Sequence, residues 1–320
     1  MKVGIVSPSA GVMGLFPKRV KRGLDWFRSQ GWEPILSEYA LGQQGYLSAS
    51  AEHRTADIHR FLDSDVDMIL ASIGGYNCNQ LLPLLDYAKI YKADKIFCGY
   101  SDITALLLAT AIKSNARCIY GPTFLPELCE FPQPYSDTVD CLKHILSRKK
   151  VSYMRPVQTV SEFIDWMEEE TDVCRKKAMT SNDNWTILQK GTASGAIWGG
   201  NLQTLLLIIG TEYFPLSVLN DAIFFFEDLE KNPAILDAML QSLKIRGVFE
   251  RISGLIVGRF ISHTLTEQMH RLIPTVVARS EIPILCDVDI GHVNPMLSIP
   301  MGAKTFLQLD EQILWQTNGF

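Results

Sequence analysis

A serine, a glutamate and a histidine stand out in this sequence because each falls where an apolar run gives way to a turn. Ser101 lies in Gly99-Tyr100-Ser101-Asp102, between the apolar segment Lys95-Ile96-Phe97-Cys98 and a helix-patterned run from Ile103 to Ile112. A hydroxyl at a strand-to-helix turn is exposed for nucleophilic attack, and the free N–H groups of the helix start can hold an oxyanion. Serine is also a common N-cap and Asp102 suits a helix N-terminus, so this segment alone is open to both readings. His292, in Gly291-His292, follows the run 283–290 and precedes Asn294-Pro295. A loop histidine at a strand end can take a proton or simply serve the structure. The other histidines, at 53, 59, 144, 263 and 270, lie in polar or amphipathic stretches and are expected at the surface.

Glu227 closes the strongly apolar Ile223-Phe224-Phe225-Phe226 and is followed by Asp228. An acid there can cap a helix starting near Pro233, or it can orient a catalytic histidine by fixing its tautomer and stabilising the imidazolium. Gly74-Gly75-Tyr76 follows an apolar run ending at Ile73. A glycine pair at a strand end can aim an N–H group at a substrate carbonyl, or it can be a plain tight turn. No Gly-x-Gly-x-x-Gly follows a strand and no Walker lysine is present, which disfavours a nucleotide cofactor. No His-Glu-x-x-His or spaced His/Asp cluster points to a metal. Neither a cofactor nor a metal is expected.

These residues need a scaffold. Residues 1–150 alternate short apolar runs (3–7, 33–36, 68–72, 95–99, 118–120) with helix patterns (18–30, 51–62, 79–90, 103–115), which predicts a parallel sheet covered by helices. Ligands on such sheets bind beyond the carboxyl ends of the strands, where Ser101 falls. Residues 151–190 carry charge runs and two tryptophans and read as a linker plus a long active-site loop. From 191 to 320 strand patterns dominate (196–199, 222–226, 254–258, 284–289, then short strands over 298–315), with helix patterns at 233–243 and 265–279. The expectation is an α/β chain: a Rossmann-like N-terminal domain and a mixed, barrel-like C-terminal domain.

A length of 320 residues suits two domains, and 47% hydrophobic with 20% charged residues suits an ordinary globular protein. A net charge of −5, with no basic cluster among aromatics, argues against a nucleic-acid partner. The longest apolar runs, 105–112 and 205–210, are too short to span a membrane, and the start of the chain reads as a strand rather than a signal peptide. Seven cysteines without a Cys-x-x-Cys pair fit reduced thiols, and Cys98 is expected as a buried structural thiol. A cytoplasmic location is expected.

Taken in order, Ile73-Gly74-Gly75, Gly99-Tyr100-Ser101-Asp102-Ile103-Thr104, Gly199-Gly200-Asn201-Leu202, Phe226-Glu227-Asp228 and Gly291-His292 resemble the motif set of the L,D-carboxypeptidase family of serine peptidases. Tyr46-Leu47 and Arg54-x-x-Asp57 fit the same pattern, and the likeness runs from Val3 to about Gly302. The resemblance implies a Ser-Glu-His triad: Ser101 as nucleophile, His292 as general base and acid, and Glu227 as its orienter. It also implies an oxyanion site from the backbone N–H groups of Asp102 and Gly75, and a homodimer.

The classical murein-recycling members carry an arginine before the Gly-Gly-Tyr turn, where this chain has Ile73. With its long inter-domain segment and Phe226-Glu227-Asp228-x-x-Lys231-Asn232, the chain is more similar to the microcin C self-immunity branch. That likeness implies that Lys231 binds an acidic aminoacyl group and that an inter-domain tryptophan stacks on a nucleobase, Trp166 matching first and Trp185 second. Gln203 stands where the branch has an asparagine, so one polar substrate contact is altered. The implied activity is hydrolysis of an amide between an acidic aminoacyl group and an adenylate-like nucleotide. The alternatives are murein tetrapeptide L,D-carboxypeptidase activity and a non-catalytic ligand-binding protein on the same scaffold.

Overall fold

The computed structural model describes every residue except 148, 161, 163, 168–171, 173, 183, 184, 230, 261 and 320. Its first sheet has six strands: β1 (Lys2–Val6), β2 (Glu33–Leu36), β3 (Met68–Ala71), β4 (Ile96–Gly99), β5 (Arg117–Tyr120) and, from late in the chain, β14 (Ile299–Pro300). The spatial order is β14-β5-β4-β3-β1-β2. β1 to β5 pair in parallel, and β14 closes the β5 edge antiparallel. β3 and β4 are buried at every residue, which is why they read as unbroken apolar runs.

Helices α1 (Pro17–Ser29), α2 (Ala51–Leu62), α3 (Tyr87–Ala93), α4 (Thr104–Ser114) and α5 (Ser136–Leu146) accompany this sheet. The helix expected over 79–90 is instead a 3-10 turn, Cys78–Leu84, followed by α3. Pro83 lies in the turn, lacks an N–H and pushes its predecessor from the α region, while Asp86 restarts the helix by accepting from the Lys89 N–H at 2.9 Å. α4 is buried at every residue from Thr104 to Ala111, because it packs on β4 and β5 and also meets the strand Gly191–Asn201 and the helix Leu202–Ile208 of the second half.

The second sheet has eight strands in the order β6-β16-β15-β10-β11-β12-β13-β9. These are β6 (Val151–Ser152), β9 (Thr186–Gln189), β10 (Gly191–Asn201), β11 (Ile223–Glu227), β12 (Gly254–Gly258), β13 (Ile284–Val288), β15 (Lys304–Leu309) and β16 (Ile313–Thr317). It curls into a half-barrel whose central strands β10 to β13 run parallel and whose flanks are antiparallel. Helices α6 (Leu202–Ile208), α7 (Pro233–Ile245) and α8 (His263–Val277) lie between these strands in sequence. The segment 151–190 holds the ribbon β7 (Gln158–Val160) with β8 (Met179–Ser181), and it also supplies both edge strands of the second sheet, β6 and β9.

β11 carries Phe224, Phe225 and Phe226, all without exposed surface. Burying each such ring contributes roughly 1.5–3 kcal/mol, so Glu227 sits at the end of a strand with little freedom to move. Among the described residues, no helix is long and apolar enough to cross a membrane.

Candidate active site

β4 ends at Gly99, Tyr100 continues extended, and Ser101 turns the chain with a φ of 63°. A 3-10 turn, Ser101–Ile103, then leads into α4. A left-handed backbone is strained for a residue with a side chain, and at a strand-to-helix turn that strain projects the side chain outward. Room for it comes from Gly74: a Cβ there would lie 2.7 Å from Ser101 Cβ and 2.9 Å from Oγ. The Thr104 hydroxyl donates to the Ser101 carbonyl at 2.6 Å and accepts the Asn201 N–H at 3.0 Å, tying the turn to the end of β10. The Ser101 hydroxyl caps no helix; it meets a histidine.

That histidine is His292, on the loop after β13. Its Nε2 lies 3.1 Å from Ser101 Oγ, and its Nδ1 lies 2.7 Å from Glu227 Oε2. The same carboxylate oxygen accepts the His292 backbone N–H at 3.2 Å. Glu227 Oε1 accepts the Tyr120 hydroxyl at 2.5 Å and Asn201 Nδ2 at 3.2 Å. Facing a carboxylate, Nδ1 carries the proton, which leaves the Nε2 lone pair for the serine hydroxyl. Three strand ends, β4, β11 and β13, thus bring Ser101, Glu227 and His292 together.

The electrostatics agree with this geometry. Burial opposes the charged imidazolium, but the Glu227 carboxylate and its hydrogen bond, helped by the charges of Glu127 and Asp228, lift the His292 pKa above its ordinary value. Burial likewise opposes the Glu227 carboxylate, yet the imidazole and the donors on His292, Tyr120 and Asn201 hold its pKa below the usual range. A hydroxyl beside a lone pair backed by a buried carboxylate is the arrangement of an activated nucleophile.

Beside Ser101, the Asp102 and Gly75 N–H groups find no acceptor among the described residues. Gly75 adopts a φ of 133°, and the Gly74 carbonyl accepts the Ala10 N–H at 3.1 Å, which fixes the turn. The Asp102 carboxylate points inward, where Oδ2 accepts the Ser9 hydroxyl at 2.5 Å and the Cys78 N–H at 2.8 Å. Burial pushes its pKa up.

Of the four residues expected to bind substrate, Lys231 and Gln203 meet at Asp228, next to Glu227. Lys231 Nζ rests 2.5 Å from Asp228 Oδ1, and Asp228 Oδ2 accepts the Gln203 backbone N–H at 3.2 Å, with the Gln203 side chain exposed. Trp166 is half-buried, edge-on to Phe16 and covered by the Arg19 guanidinium at 4.4 Å. Trp185 is a correction to the expectation for a base-stacking residue. It is buried, its Nε1 donates to Asp289 at 2.8 Å and its ring packs on Trp315, so no face is open to a base.

Sequence reasoning assigned no role to Tyr120 or to Asn201, although Asn201 lay within a quoted motif. Both sit at the carboxyl ends of strands, and position beside β4 and β11 was the one signal available for them. Among the described residues, no group of three or more His, Cys, Asp or Glu side chains is placed to hold a metal.

Comparison with known proteins follows the same outline. The profile of the LD-carboxypeptidase N-terminal domain matches residues 3–121, and that of the LD-carboxypeptidase C-terminal domain matches residues 194–307. The microcin C7 self-immunity protein MccF of Escherichia coli is 31% identical over 317 residues, covering 97% of this chain and 91% of that protein. A probable murein peptide carboxypeptidase of Bacillus subtilis is 28% identical, covering 97% of this chain and 89% of that protein. The solved structure of MccF in complex with glutamyl sulfamoyl guanosine superposes with a TM-score of 0.90 at 29% identity, covering 100% of this chain and 96% of that one.

Proposed function

Since the chain belongs to the LD-carboxypeptidase family of peptidases, we propose that it is a serine hydrolase whose substrate is an amide joining an acidic aminoacyl group to an adenylate-like nucleotide. The observation that carries the reading is the unbroken line from Ser101 Oγ through the His292 imidazole to Glu227, at 3.1 Å and 2.7 Å. In this mechanism Ser101 Oγ attacks the aminoacyl carbonyl carbon while His292 Nε2 takes the hydroxyl proton. Glu227 stabilises the imidazolium, and the Asp102 and Gly75 N–H groups hold the oxyanion. His292 then hands its proton to the leaving nitrogen as the C–N bond breaks, and the acyl group stays on Ser101. Water, deprotonated by His292, attacks that ester and frees the amino acid and the serine.

Two features favour an acidic aminoacyl nucleotide. The relative MccF is a self-immunity protein with a structure holding glutamyl sulfamoyl guanosine, and Lys231 supplies an ammonium four residues after Glu227. Trp166 is the residue we assign to the nucleobase, its ring already braced by Arg19. The likeness to a murein peptide carboxypeptidase supports a second reading with the same machinery, removal of a terminal D-amino acid from a murein tetrapeptide. Measuring hydrolysis of glutamyl sulfamoyl adenosine beside that of a murein tetrapeptide decides. The first reading requires the adenylate to be cleaved and the tetrapeptide spared, and the opposite result hands the function to the second. The proposal includes a cytoplasmic homodimer, in keeping with seven free cysteines and checked by light scattering on the purified protein.

A further inference from the structure

Glu127 is a buried carboxylate in the turn after β5, and among the described residues no lysine or arginine pairs with it. Its Oε1 accepts the Tyr100 hydroxyl at 2.8 Å; its Oε2 accepts the Thr123 N–H at 2.9 Å and the Thr123 hydroxyl at 3.1 Å. All three partners donate, and that set suits the ionised form, although burial raises the carboxyl above its usual value. A carboxylate kept in a core with no lysine or arginine beside it, and with the His292 imidazole as the cation its charge favours, is expensive as mere packing.

What Glu127 holds is Tyr100. The Tyr100 ring stands edge-on to the His292 imidazole, with centroids 5.0 Å apart, and leans on Tyr120 at 6.3 Å. Its backbone leads directly into Ser101, whose left-handed φ needs an anchor. One side chain therefore braces both the ring of the base and the turn of the nucleophile. We propose that Glu127 is a positioning residue of the Ser101–His292 pair, acting through Tyr100. This inference rests on the hydrolase reading for its consequence in turnover, though not for its geometry.

The titratable groups around His292 are Glu227 and Asp228 from the end of β11, Tyr120 from β5, Tyr100 before Ser101, and Glu127 behind Tyr100. Replacing Glu127 by glutamine removes one negative charge from this set and leaves the shape. The test is a histidine-resolved NMR titration of the full chain, in the original protein, Glu127→Gln and Tyr100→Phe, with kcat and KM for glutamyl sulfamoyl adenosine measured alongside. In Glu127→Gln the His292 midpoint is expected to fall by about half a pH unit or more, as loss of a charge several ångströms away requires. In both variants kcat is expected to fall about tenfold or more with KM little changed, because misplacing a reacting group by an ångström can cost roughly a hundredfold. An unmoved His292 midpoint in a Glu127→Gln protein that melts like the original overturns the proposal. If Glu127→Gln does not fold, Tyr100→Phe decides, and unchanged kcat together with an unchanged His292 midpoint is fatal. A shifted midpoint in a protein that cleaves no substrate upholds the role of Glu127 and removes the hydrolase reading instead.

Discussion

Tyr120 and Glu227 join the two sheets at the site itself: the phenol at the end of β5 donates at 2.5 Å to the carboxylate at the end of β11. Both side chains are buried, so the bond is a charge-assisted contact out of reach of water. It fixes Glu227 from the side opposite His292, leaving the carboxylate one orientation in which to meet the imidazole.

Tyr120→Phe keeps the ring and removes the donor. Losing a hydrogen bond to a buried charge costs about 1.5–3 kcal/mol, and urea unfolding is expected to report a loss of that order. Activity falls with it, because Glu227 is then held by Asn201 and His292 alone. Unchanged stability would mean that the phenol contributes nothing net at this joint.

Ser101→Ala removes the proposed nucleophile and leaves the turn. Turnover is expected to fall by roughly 10⁶-fold, as when a serine-protease nucleophile is removed, with the melting temperature preserved. The double variant with His292→Ala should be little worse than either single one, since the two act as a unit. Losses that multiply would show instead that the residues work separately.

The pH dependence follows from the direction of the His292 shift. As the proposed base, His292 works only when neutral, and its pKa is raised, so kcat/KM should rise with pH through a midpoint above about 6.5. Glu227→Gln should move that midpoint down. Stability runs the other way: the contribution of a raised His292 is complete below about 6.5 and fades as pH climbs through its folded value. For the lowered Glu227, the contribution is present above about 4.3 and disappears as acid carries pH down through its folded value. Rate profiles and chemical unfolding over the same pH series check both signs.

Lys231→Ala and Trp166→Ala test the two substrate contacts proposed for this site separately. Removing a charge-assisted bond costs about 1.5–3 kcal/mol, so Lys231→Ala should reduce cleavage of glutamyl and aspartyl nucleotides roughly tenfold to 150-fold and spare neutral analogues. Trp166→Ala should instead weaken every substrate bearing a base, because stacking does not read the aminoacyl group. Equal losses from Lys231→Ala on acidic and neutral substrates would show that its bond to Asp228 is its whole role.

The elements most legible in the sequence were those whose reasons are local. β2, β12 and α2 follow the expected limits, since apolar runs and a Ser50 cap mark them. β10 was read as 196–199 but extends over Gly191–Asn201, because glycines and small polar residues hide the alternation of its first half. β6 and β9 are edges defined by what they pair with, and nothing in 151–190 announces those partners. At the site, Ser101, Glu227 and His292 were each visible but each had a second explanation. Their meeting depends on contacts 65 and 191 residues apart along the chain, which spacing alone leaves open and the family resemblance implies. Glu127 escaped notice because its importance lies wholly in the tyrosine it holds.

The late strand β14 has a consequence for how the protein is made. It comes after His292 in the sequence, yet it pairs with β5 and covers the edge of the first sheet. On the ribosome, β1 to β5 emerge long before residues 299–300, so a nascent chain carries an open strand edge through most of its synthesis. A message truncated between β5 and β14 would yield five of the six strands with the β5 edge open to pair with a neighbour. Completing the chain shields the edge and delivers the histidine to the serine within the same ten-residue stretch.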